Sequence, residues 1–389
     1  MERRRFLKYA GAALAGATIG VVAGRQAEVT SPSQIITETA TQSRTVTETT
    51  IEECTESTCC SATLRAAAET RGILVGAATS SSFIGEARYR NTLAREFDFL
   101  TTENEMKWRR IHPAPDQWDF EPADTIVKFA SEHQMKVKCH NILWKDERTP
   151  DWVKAERSRE EFLRILEEHV QTLVGRYKGK VYAWDVVNEA VDTNEVNGLR
   201  RNVFLEKLGE GYIAEAFRLA HEADPDALLL YNDYELESAD SSPYRKARSD
   251  RIYKLAKKLV DDGAPIHGVG LQMHLDAWNC PGPVDVAVDV RRLARLGLKV
   301  NISEMDVRIT EKELAGTLTE RLERQRRIYH DIIAACVKEQ GFMAVTFWGF
   351  TDAHSWIDEE FGADDPLLFD ENYQPKPAYW GVMDALLGE

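Results

Sequence analysis

The central part of this sequence reads Trp184-Asp185-Val186-Val187-Asn188-Glu189-Ala190. Residues 182–187 are apolar except for Asp185 and are rich in valine and aromatic side chains, a composition typical of a buried strand. An amide and a carboxylate follow directly, with no turn signal between. Barrel enzymes place their chemistry at strand ends, because a strand holds a side chain rigidly while the next loop leaves access. We therefore interpret Glu189 as a catalytic residue.

A second carboxylate occurs in a matching context. Glu304 lies in the run Val300-Asn301-Ile302-Ser303-Glu304-Met305-Asp306, where strand-forming residues again lead into acids. Most of the 64 acidic residues are expected to be solvated surface charges, but such charges do not usually end an apolar strand. Two acids at the ends of two separate strands favour a hydrolase that uses a pair of carboxylates.

The composition limits the partners of the protein. The chain has 389 residues, 43% of them hydrophobic, which is enough for one large or two ordinary domains with a sizeable core. The formal net charge is −15, and no basic stripe occurs in the body of the chain. This charge argues against nucleic acid or an anionic membrane as the partner, and it is compatible with a neutral polysaccharide.

The six cysteines indicate no metal site. Cys54, Cys59 and Cys60 lie in a Thr/Ser/Glu-rich stretch without a nearby histidine, so a zinc site is not expected there. Cys139 and Cys336 occur in apolar segments and are interpreted as buried thiols. Cys280 could be free or bridged.

The first 25 residues are interpreted as a twin-arginine-type export signal. Arg3-Arg4-Arg5-Phe6-Leu7-Lys8 is followed by an Ala/Gly-rich apolar run, Tyr9 to Gly24. A membrane anchor is the alternative, but the run is shorter and less apolar than the ~20 residues that span a membrane comfortably. We expect a secreted or cell-surface-tethered protein, and membrane contact only through a retained signal segment. Whether the signal is cleaved stays open.

Residues 26–62 form a predicted linker. The segment is rich in Thr, Ser and Glu and poor in large apolar side chains, so it cannot bury enough surface to fold. The catalytic domain is therefore predicted to span 63–389, without a separate carbohydrate-binding domain.

From Leu64 onward, strand-like runs alternate with amphipathic helical ones. The predicted strands are Ile73–Thr79, Phe97–Asn104, Lys136–Trp144, Tyr182–Asn188, Leu228–Tyr234, Ile266–His274, Lys299–Glu304 and Ala344–Gly349. The predicted helices lie near Glu86–Glu96, Ala123–Gln134, Arg159–Tyr177, Arg201–Ala223, Ala247–Asp262, Val284–Leu296, Leu318–Gln340 and Pro377–Leu387. Eight strand–helix pairs predict an α/β protein with a (β/α)8 TIM barrel. A doubly wound open sheet would normally show a glycine-rich phosphate turn after its first strand, and none occurs here.

Polar residues cluster at the ends of nearly all these strands. They are Glu103-Asn104, His140 with Trp144, Asn188-Glu189, Asn232-Asp233, Gln272 with His274, Glu304 with Asp306, and Trp348. In a barrel these strand ends converge on one face, which favours a common site over separate structural roles.

The chemistry of glycosidic bond cleavage suits this set. An acid must protonate the leaving oxygen, and a carboxylate must act at the anomeric carbon; Glu189 and Glu304 fit these roles. Repulsion between the two carboxylates would raise the pKa of the acid. His274 could orient and ionise Glu304, with Asp306 holding the histidine. Asn188 could contact a sugar hydroxyl only if a bulge turned both it and Glu189 toward the cleft.

Six stretches make the resemblance to a known family specific. They are Thr101-Thr102-Glu103-Asn104-Glu105-Met106-Lys107-Trp108, residues 184–190, Tyr231-Asn232-Asp233-Tyr234, Gln272-Met273-His274, residues 302–306, and Phe347-Trp348-Gly349-Phe350-Thr351-Asp352-Ala353-His354-Ser355-Trp356. In this order they resemble glycoside hydrolase family 10, the endo-β-1,4-xylanases, from about residue 67 to the end.

The resemblance implies a retaining double displacement with no metal and no organic cofactor. It implies Glu189 as the general acid/base and Glu304 as the nucleophile. The implied supporting and substrate-binding residues are Asn188, His274 and Asp306, and Glu103, Asn104, Lys107, His140, Trp144, Asn232, Gln272, Trp348 and Trp356.

One motif departs from the family. The third strand usually ends in His-x-x-x-Trp-His-x-Gln, whereas this chain has Lys145 and Glu147 in place of the last histidine and glutamine. The catalytic pair is untouched, so we expect an altered preference among xylan, mixed-linkage glucan and cellulose. An endoglucanase on the same barrel is therefore the alternative enzyme. A non-catalytic polysaccharide-binding protein is less favoured, because such proteins lose a catalytic carboxylate and both are present.

Overall fold

The computed structural model describes residues 63–236 and 243–389. The predicted export signal and linker, with the three cysteines between residues 54 and 60, lie outside these ranges. The strands are β1 (Leu74–Thr79), β2 (Phe99–Thr102), β3 (Lys136–Leu143), β4 (Ala183–Asn188), β5 (Leu228–Asp233), β6 (Gly268–Leu271), β7 (His274–Asp276), β8 (Lys299–Arg308) and β9 (Phe342–Phe347).

Eight of these strands close into a parallel barrel. The order of neighbours is β6-β5-β4-β3-β2-β1-β9-β8, and β6 also pairs with β8, which closes the sheet. Every residue of β4 and of β9 is buried, as expected for strands covered on both faces. The predicted (β/α)8 TIM barrel is confirmed.

Helices surround the barrel. They are α1 (Leu64–Thr70), α2 (Ala87–Glu96), α3 (Trp108–Ile111), α4 (Glu121–Glu132), α5 (Asp151–Lys154), α6 (Arg159–Tyr177), α7 (Val203–Leu208), α8 (Tyr212–Ala223), α9 (Pro243–Asp261), α10 (Pro283–Ala294), α11 (Leu318–Cys336), α12 (Trp356–Phe361) and α13 (Pro377–Leu387). The two long helices α6 and α11 each begin with a capping box, Ser158 with Glu161 and Thr317 with Glu320. In the described part of the chain, no helix is long and apolar enough to cross a membrane.

Several predicted boundaries were wrong by a few residues, and three of the differences have a clear backbone cause. The helix expected over 201–223 is two helices, α7 and α8, because Gly209 between them has a φ of 75°. The strand expected over 266–274 is interrupted at Met273, whose φ is 61°. The strand expected to end at Glu304 continues to Arg308, because β7 pairs with its second half and supplies backbone partners there.

The remaining cysteines of the barrel agree with their predicted environment. Cys139 in β3 and Cys336 at the end of α11 are free and buried. Cys280, for which two states were open, is a free thiol.

Candidate active site

Glu189 follows β4 directly and has a left-handed backbone with a φ of 54°. The pairing of β4 with β5 shifts register between Asp185 and Val187, and the Glu189 N–H donates to the Asn232 carbonyl oxygen at 2.8 Å. Positive φ is uncommon in non-glycine residues, and such strained positions cluster at active sites. This local departure from strand geometry lets Asn188 and Glu189 reach the same group of side chains, as the sequence analysis required.

Glu304 is buried in the middle of β8. Its Oε1 accepts a hydrogen bond from Asn232 Nδ2 at 2.6 Å, and its Oε2 lies 3.1 Å from His274 Nε2. The other ring nitrogen of His274, Nδ1, lies 2.8 Å from Asp306 Oδ2. The histidine therefore connects two carboxylates of the same strand.

The charges of this group are set by the same contacts. Burial by itself would raise the pKa of the Glu304 carboxyl, but the hydrogen bond to His274 and the nearby His140, His274 and Lys138 side chains hold it below its ordinary value. Burial by itself would lower the pKa of His274, and Asp306 and Glu304 outweigh it and raise it to about 10. At neutral pH Glu304 is therefore a carboxylate and His274 an imidazolium.

Side-chain amides connect Glu304 to Glu189. Asn232 Nδ2, which donates to Glu304, lies 2.9 Å from the Asn188 amide. Gln272 Nε2 lies 3.3 Å from both the Asn188 amide and Glu189 Oε1. The two glutamates thus belong to one continuous polar network at the carboxyl-terminal mouth of the barrel.

Gly270 makes room for this network. A Cβ atom at Gly270 in β6 would overlap the side-chain oxygen of Asn232 and lie 3.1 Å from the Ser303 side chain. Ser303 Oγ donates to that same Asn232 oxygen at 2.6 Å, which fixes the direction of the amide toward Glu304. Ser303 is a supporting residue that sequence reasoning missed.

A buried ion pair lies beneath the glutamates and was also missed. Lys138 Nζ lies 2.8 Å from Asp185 Oδ2, and both side chains are fully buried. The same oxygen lies 2.9 Å from His140 Nδ1, which in turn is 4.0 Å from Glu304 Oε1. Charged residues in the middle of two apolar strands were the available signal, because buried charges require a partner.

Glu103, Asn104 and Lys107 lie together on the loop after β2. Lys107 Nζ donates to Asn104 Oδ1 at 2.8 Å, and Asn104 Nδ2 donates to Glu103 Oε1 at 3.1 Å. Burial and the nearby Arg148 lower the pKa of Lys107 to about 8, although Glu103, Glu304 and Glu189 oppose the shift. Burial is also the main cause of the raised pKa of Glu103. At neutral pH Lys107 is therefore an ammonium group, and the neighbouring carboxylates offset the cost of its burial only in part.

Three tryptophans line the same mouth. Lys107 Nζ lies 5.0 Å from the ring centroid of Trp144 and 5.7 Å from that of Trp348. The indole Nε1 of Trp356 donates to Asp306 Oδ2 at 2.9 Å, and its ring lies 5.1 Å from that of His274. The aromatic faces and the polar network form a cleft suited to sugar rings, whose faces are apolar and whose edges are polar.

Lys145, one of the two residues that depart from the family motif, lies at the edge of this cleft. Lys145 Nζ is 4.7 Å from the ring centroid of Trp144, and the guanidinium carbon of Arg148 is 5.4 Å from it. Glu147 is exposed. The indole ring of Trp144 therefore has three cations around it, from Lys107, Lys145 and Arg148.

In the described ranges, no group of three or more His, Cys, Asp or Glu side chains could hold a metal ion. The site brings together every residue that the sequence analysis proposed for it. Chemically, it offers one carboxylate held ionised by a cation and a second carboxyl group at a strained backbone position across an amide bridge.

Comparisons with known proteins place the barrel in a family. The model of glycosyl hydrolase family 10 matches residues 63–385. A β-1,4-xylanase of Dictyoglomus thermophilum is 43% identical over 319 residues, which cover 79% of this chain and 87% of that protein. Endo-1,4-β-xylanase B of Thermotoga neapolitana is 38% identical over 328 residues, which cover 83% and 91%.

Solved structures agree. Native xylanase 10B of Thermotoga maritima is 40% identical, with a TM-score of 0.77 and coverage of 84% of this chain and 98% of that one. Xylanase 10B of Thermotoga petrophila, solved in complex with xylobiose, gives the same identity and TM-score with coverage of 84% and 97%. The chain belongs to glycoside hydrolase family 10.

Proposed function

We propose that this protein is a retaining endo-1,4-β-xylanase that cleaves internal β-1,4 bonds of xylan. One observation carries the proposal. Glu304 is held as a carboxylate by His274 and is joined through Asn232, Asn188 and Gln272 to Glu189 at the end of β4. The xylan-degrading relatives and the xylobiose complex of a similar structure support the substrate class.

In the first step, Glu304 attacks the anomeric carbon and forms a covalent glycosyl ester as the glycosidic C–O bond breaks. Glu189 donates its proton to the departing oxygen, so that a neutral sugar hydroxyl leaves. His274 supports this step because it keeps Glu304 ionised before attack, and Asn232 directs the carboxylate through its 2.6 Å hydrogen bond.

In the second step, water attacks the same carbon and the ester bond to Glu304 breaks. Glu189, now a carboxylate, accepts the proton of that water, which restores both residues and retains the anomeric configuration. Asn188 is proposed to bind a sugar hydroxyl, since its amide already lies within 3.3 Å of the Gln272 amide that contacts Glu189.

The remaining predicted residues are proposed to bind sugars. Glu103, Asn104 and Lys107 form a hydrogen-bonded row that suits hydroxyl groups on the non-reducing side of the cut. His140, Trp144, Trp348 and Trp356 supply the walls, since their rings surround the charged network. The protein is proposed to act outside the cell, and the twin-arginine-type sequence of residues 1–25 supports export.

The decisive experiment measures reducing-sugar release from xylan by the wild-type protein and by Glu304→Gln, which keeps the shape of the side chain. We expect loss of at least about 10⁴-fold, since removal of a nucleophile abolishes the covalent step. Glu311→Gln, at the exposed start of the loop after β8, is the matched control and should be fully active. Equal release by Glu304→Gln and wild type would discard Glu304 as the nucleophile.

Two further measurements test stereochemistry and substrate. Proton NMR of xylo-oligosaccharide cleavage should show the β-anomer first, and an initial α-anomer would contradict retention. Product profiles on xylan and barley-type mixed-linkage glucan separate the two enzyme activities. Faster cleavage of the glucan would favour the endoglucanase alternative.

A further inference from the structure

Arg200, in the loop between β4 and α7, is fixed against the backbone of Glu189. Its Nε donates to the Glu189 carbonyl oxygen at 2.8 Å, and one terminal nitrogen donates to the Tyr234 hydroxyl at 3.0 Å. The Arg200 N–H donates to the Ala190 carbonyl at 2.7 Å. The two side-chain contacts fix the direction of the guanidinium. The side chain is 21% exposed.

The guanidinium also faces the carboxyl group of Glu189. A terminal nitrogen of Arg200 lies 3.7 Å from Glu189 Oε2. This distance is longer than a hydrogen bond but well within the range in which unlike charges affect protonation. An arginine cannot lose its proton in a protein, so the charge beside Glu189 is permanent.

Other charged groups also face Glu189. Asp233 faces Glu189 from β5, but its carboxylate is paired with the fully buried Arg248. Lys107 faces it from the loop after β2 and adds positive charge. Tyr234 and Gln272 contribute a neutral hydroxyl and a neutral amide. Glu304, the second carboxylate of the network, opposes the ionisation of Glu189. Arg200 at 3.7 Å and Lys107 act in the opposite direction.

We propose that Arg200 is a positioning residue that holds Glu189 in its left-handed conformation and stabilises its carboxylate form, and so promotes hydrolysis of the covalent intermediate. The inference rests on the proposed role of Glu189 as acid/base. In the second step Glu189 must be unprotonated, because it accepts the proton of the attacking water. In the first step it must be protonated, so the same cation limits activity at high pH.

The test compares the pH profiles of the wild type and Arg200→Gln. With xylo-oligosaccharides, the alkaline limb of kcat/KM reports the loss of the proton from the acid in the free enzyme. Removal of a cation at this distance should move that limb upward by about one pH unit. A merely structural role would lower activity equally at every pH and leave the limb where it is.

An activated substrate isolates the second step. A dinitrophenyl xylobioside has a leaving group that needs no protonation, so breakdown of the intermediate limits kcat. On the acid limb of the kcat profile, where Glu189 takes up a proton, Arg200→Gln should lower kcat and KM together, by about tenfold for a shift of one pH unit, and should leave kcat/KM nearly unchanged. This split between kcat and KM is specific to a defect in general-base assistance.

Three variants serve as controls. Arg201→Gln removes the neighbouring arginine, which is 84% exposed and pairs with Glu195, and its profile should match wild type. Arg200→Lys keeps the charge, and its alkaline limb should lie closer to wild type than that of Arg200→Gln. Tyr234→Phe removes one hydrogen bond that holds the guanidinium and should shift the limb in the same direction by a smaller amount.

Thermal unfolding is measured first to show whether each variant is folded. If Arg200→Gln does not fold, the shift of the alkaline limb is measured with Tyr234→Phe instead. An unmoved alkaline limb in the folded variants, with kcat on the activated substrate unchanged or with a uniform loss at all pH values, overturns the proposal. Glu189→Ala separates it from the proposed function. If azide does not restore its turnover of the activated substrate, Glu189 is not the acid/base, whatever Arg200 shows.

Discussion

His274 and Asp306 form the support of the reactive carboxylate: the ring Nδ1 lies 2.8 Å from Asp306 Oδ2, on the side opposite to the one that faces Glu304. The register that pairs β7 with β8 places these two residues directly opposite each other. The pairing of the short strand β7 with β8 therefore orients the imidazolium of His274 toward Glu304.

Asp306→Asn should weaken this support. Without the carboxylate, the pKa of His274 falls from about 10, the imidazolium is less stable, and the pKa of Glu304 rises toward its ordinary value. Because Glu304 must be ionised to attack, the acid limb of kcat/KM should move to higher pH. Loss of a charge-assisted hydrogen bond of about 1.5–3 kcal/mol corresponds to a decrease of about 10- to 100-fold at neutral pH.

The control for this change is Asp276→Asn on β7, whose carboxylate pairs with Arg308 at 3.1 Å. Its acid limb should match that of wild type. An unshifted acid limb in Asp306→Asn would show that Asp306 has only a structural role.

Lys145→His combined with Glu147→Gln restores the family motif at the edge of the cleft. Because Lys145 is 4.7 Å from the Trp144 ring, its replacement changes both the charge and the aromatic wall that a sugar would meet. We expect the ranking of xylan, mixed-linkage glucan and cellulose by kcat/KM to change by about fivefold, the effect of one hydrogen bond. Lys128→Gln on α4 is a remote control. Equal or better turnover of plain xylan with an unchanged ranking would mean that the departure is neutral.

His112 and His169 predict acid sensitivity. Their Nδ1 atoms are 3.2 Å apart, and their rings stack on Trp118 at 3.8 Å and Trp108 at 3.7 Å. Burial lowers the pKa of both, and proximity to His112 lowers that of His169 further. The folded protein therefore keeps them neutral, whereas the unfolded chain takes up protons below about pH 6.5. The contribution of these two histidines to the free energy of unfolding is therefore fully present above about pH 6.5, and it is lost progressively as the pH falls below that value.

Urea unfolding between pH 7 and pH 5 measures this loss. The stability advantage of wild type over His169→Gln should shrink by about 1–2 kcal/mol across this interval. His330→Gln, on the surface of α11, should unfold with the same pH dependence as wild type. Parallel curves for His169→Gln and wild type would contradict the prediction.

The buried pair of Lys138 and Asp185 should be intolerant of single substitutions. Lys138→Met leaves a carboxylate at zero exposure with one partner fewer, and it should cost about 3–5 kcal/mol in unfolding free energy. The double variant with Asp185→Asn should recover part of that loss, because no unpaired charge remains. Lys257→Met, in an exposed pair with Asp261, should unfold like wild type in the same urea titration. A loss in the double variant equal to the sum of both single losses would contradict the coupling.

Strand periodicity was sufficient to predict the barrel, because eight apolar runs alternating with amphipathic helices have few ways to bury both faces. It was also sufficient to predict that Glu189 and Glu304 lie at the same mouth, since parallel strands share a polarity. Periodicity did not predict the extension of β8, because its second half takes its backbone partners from β7. It also did not predict the breaks at Gly209 and Met273, because both come from single residues with positive φ, which a periodic pattern does not register.

The local sequence could suggest which residue types carry the chemistry, whereas their electrostatic state depends on tertiary structure. The charge of His274 is set by two acids from another strand, and the ionisation of Glu304 by groups from β3 as well as by that histidine. Arg200 reaches Glu189 across a loop in a way that no spacing rule indicates. The physical reason is that burial and Coulomb interactions depend on distances in space, which the closing of the barrel alone brings about.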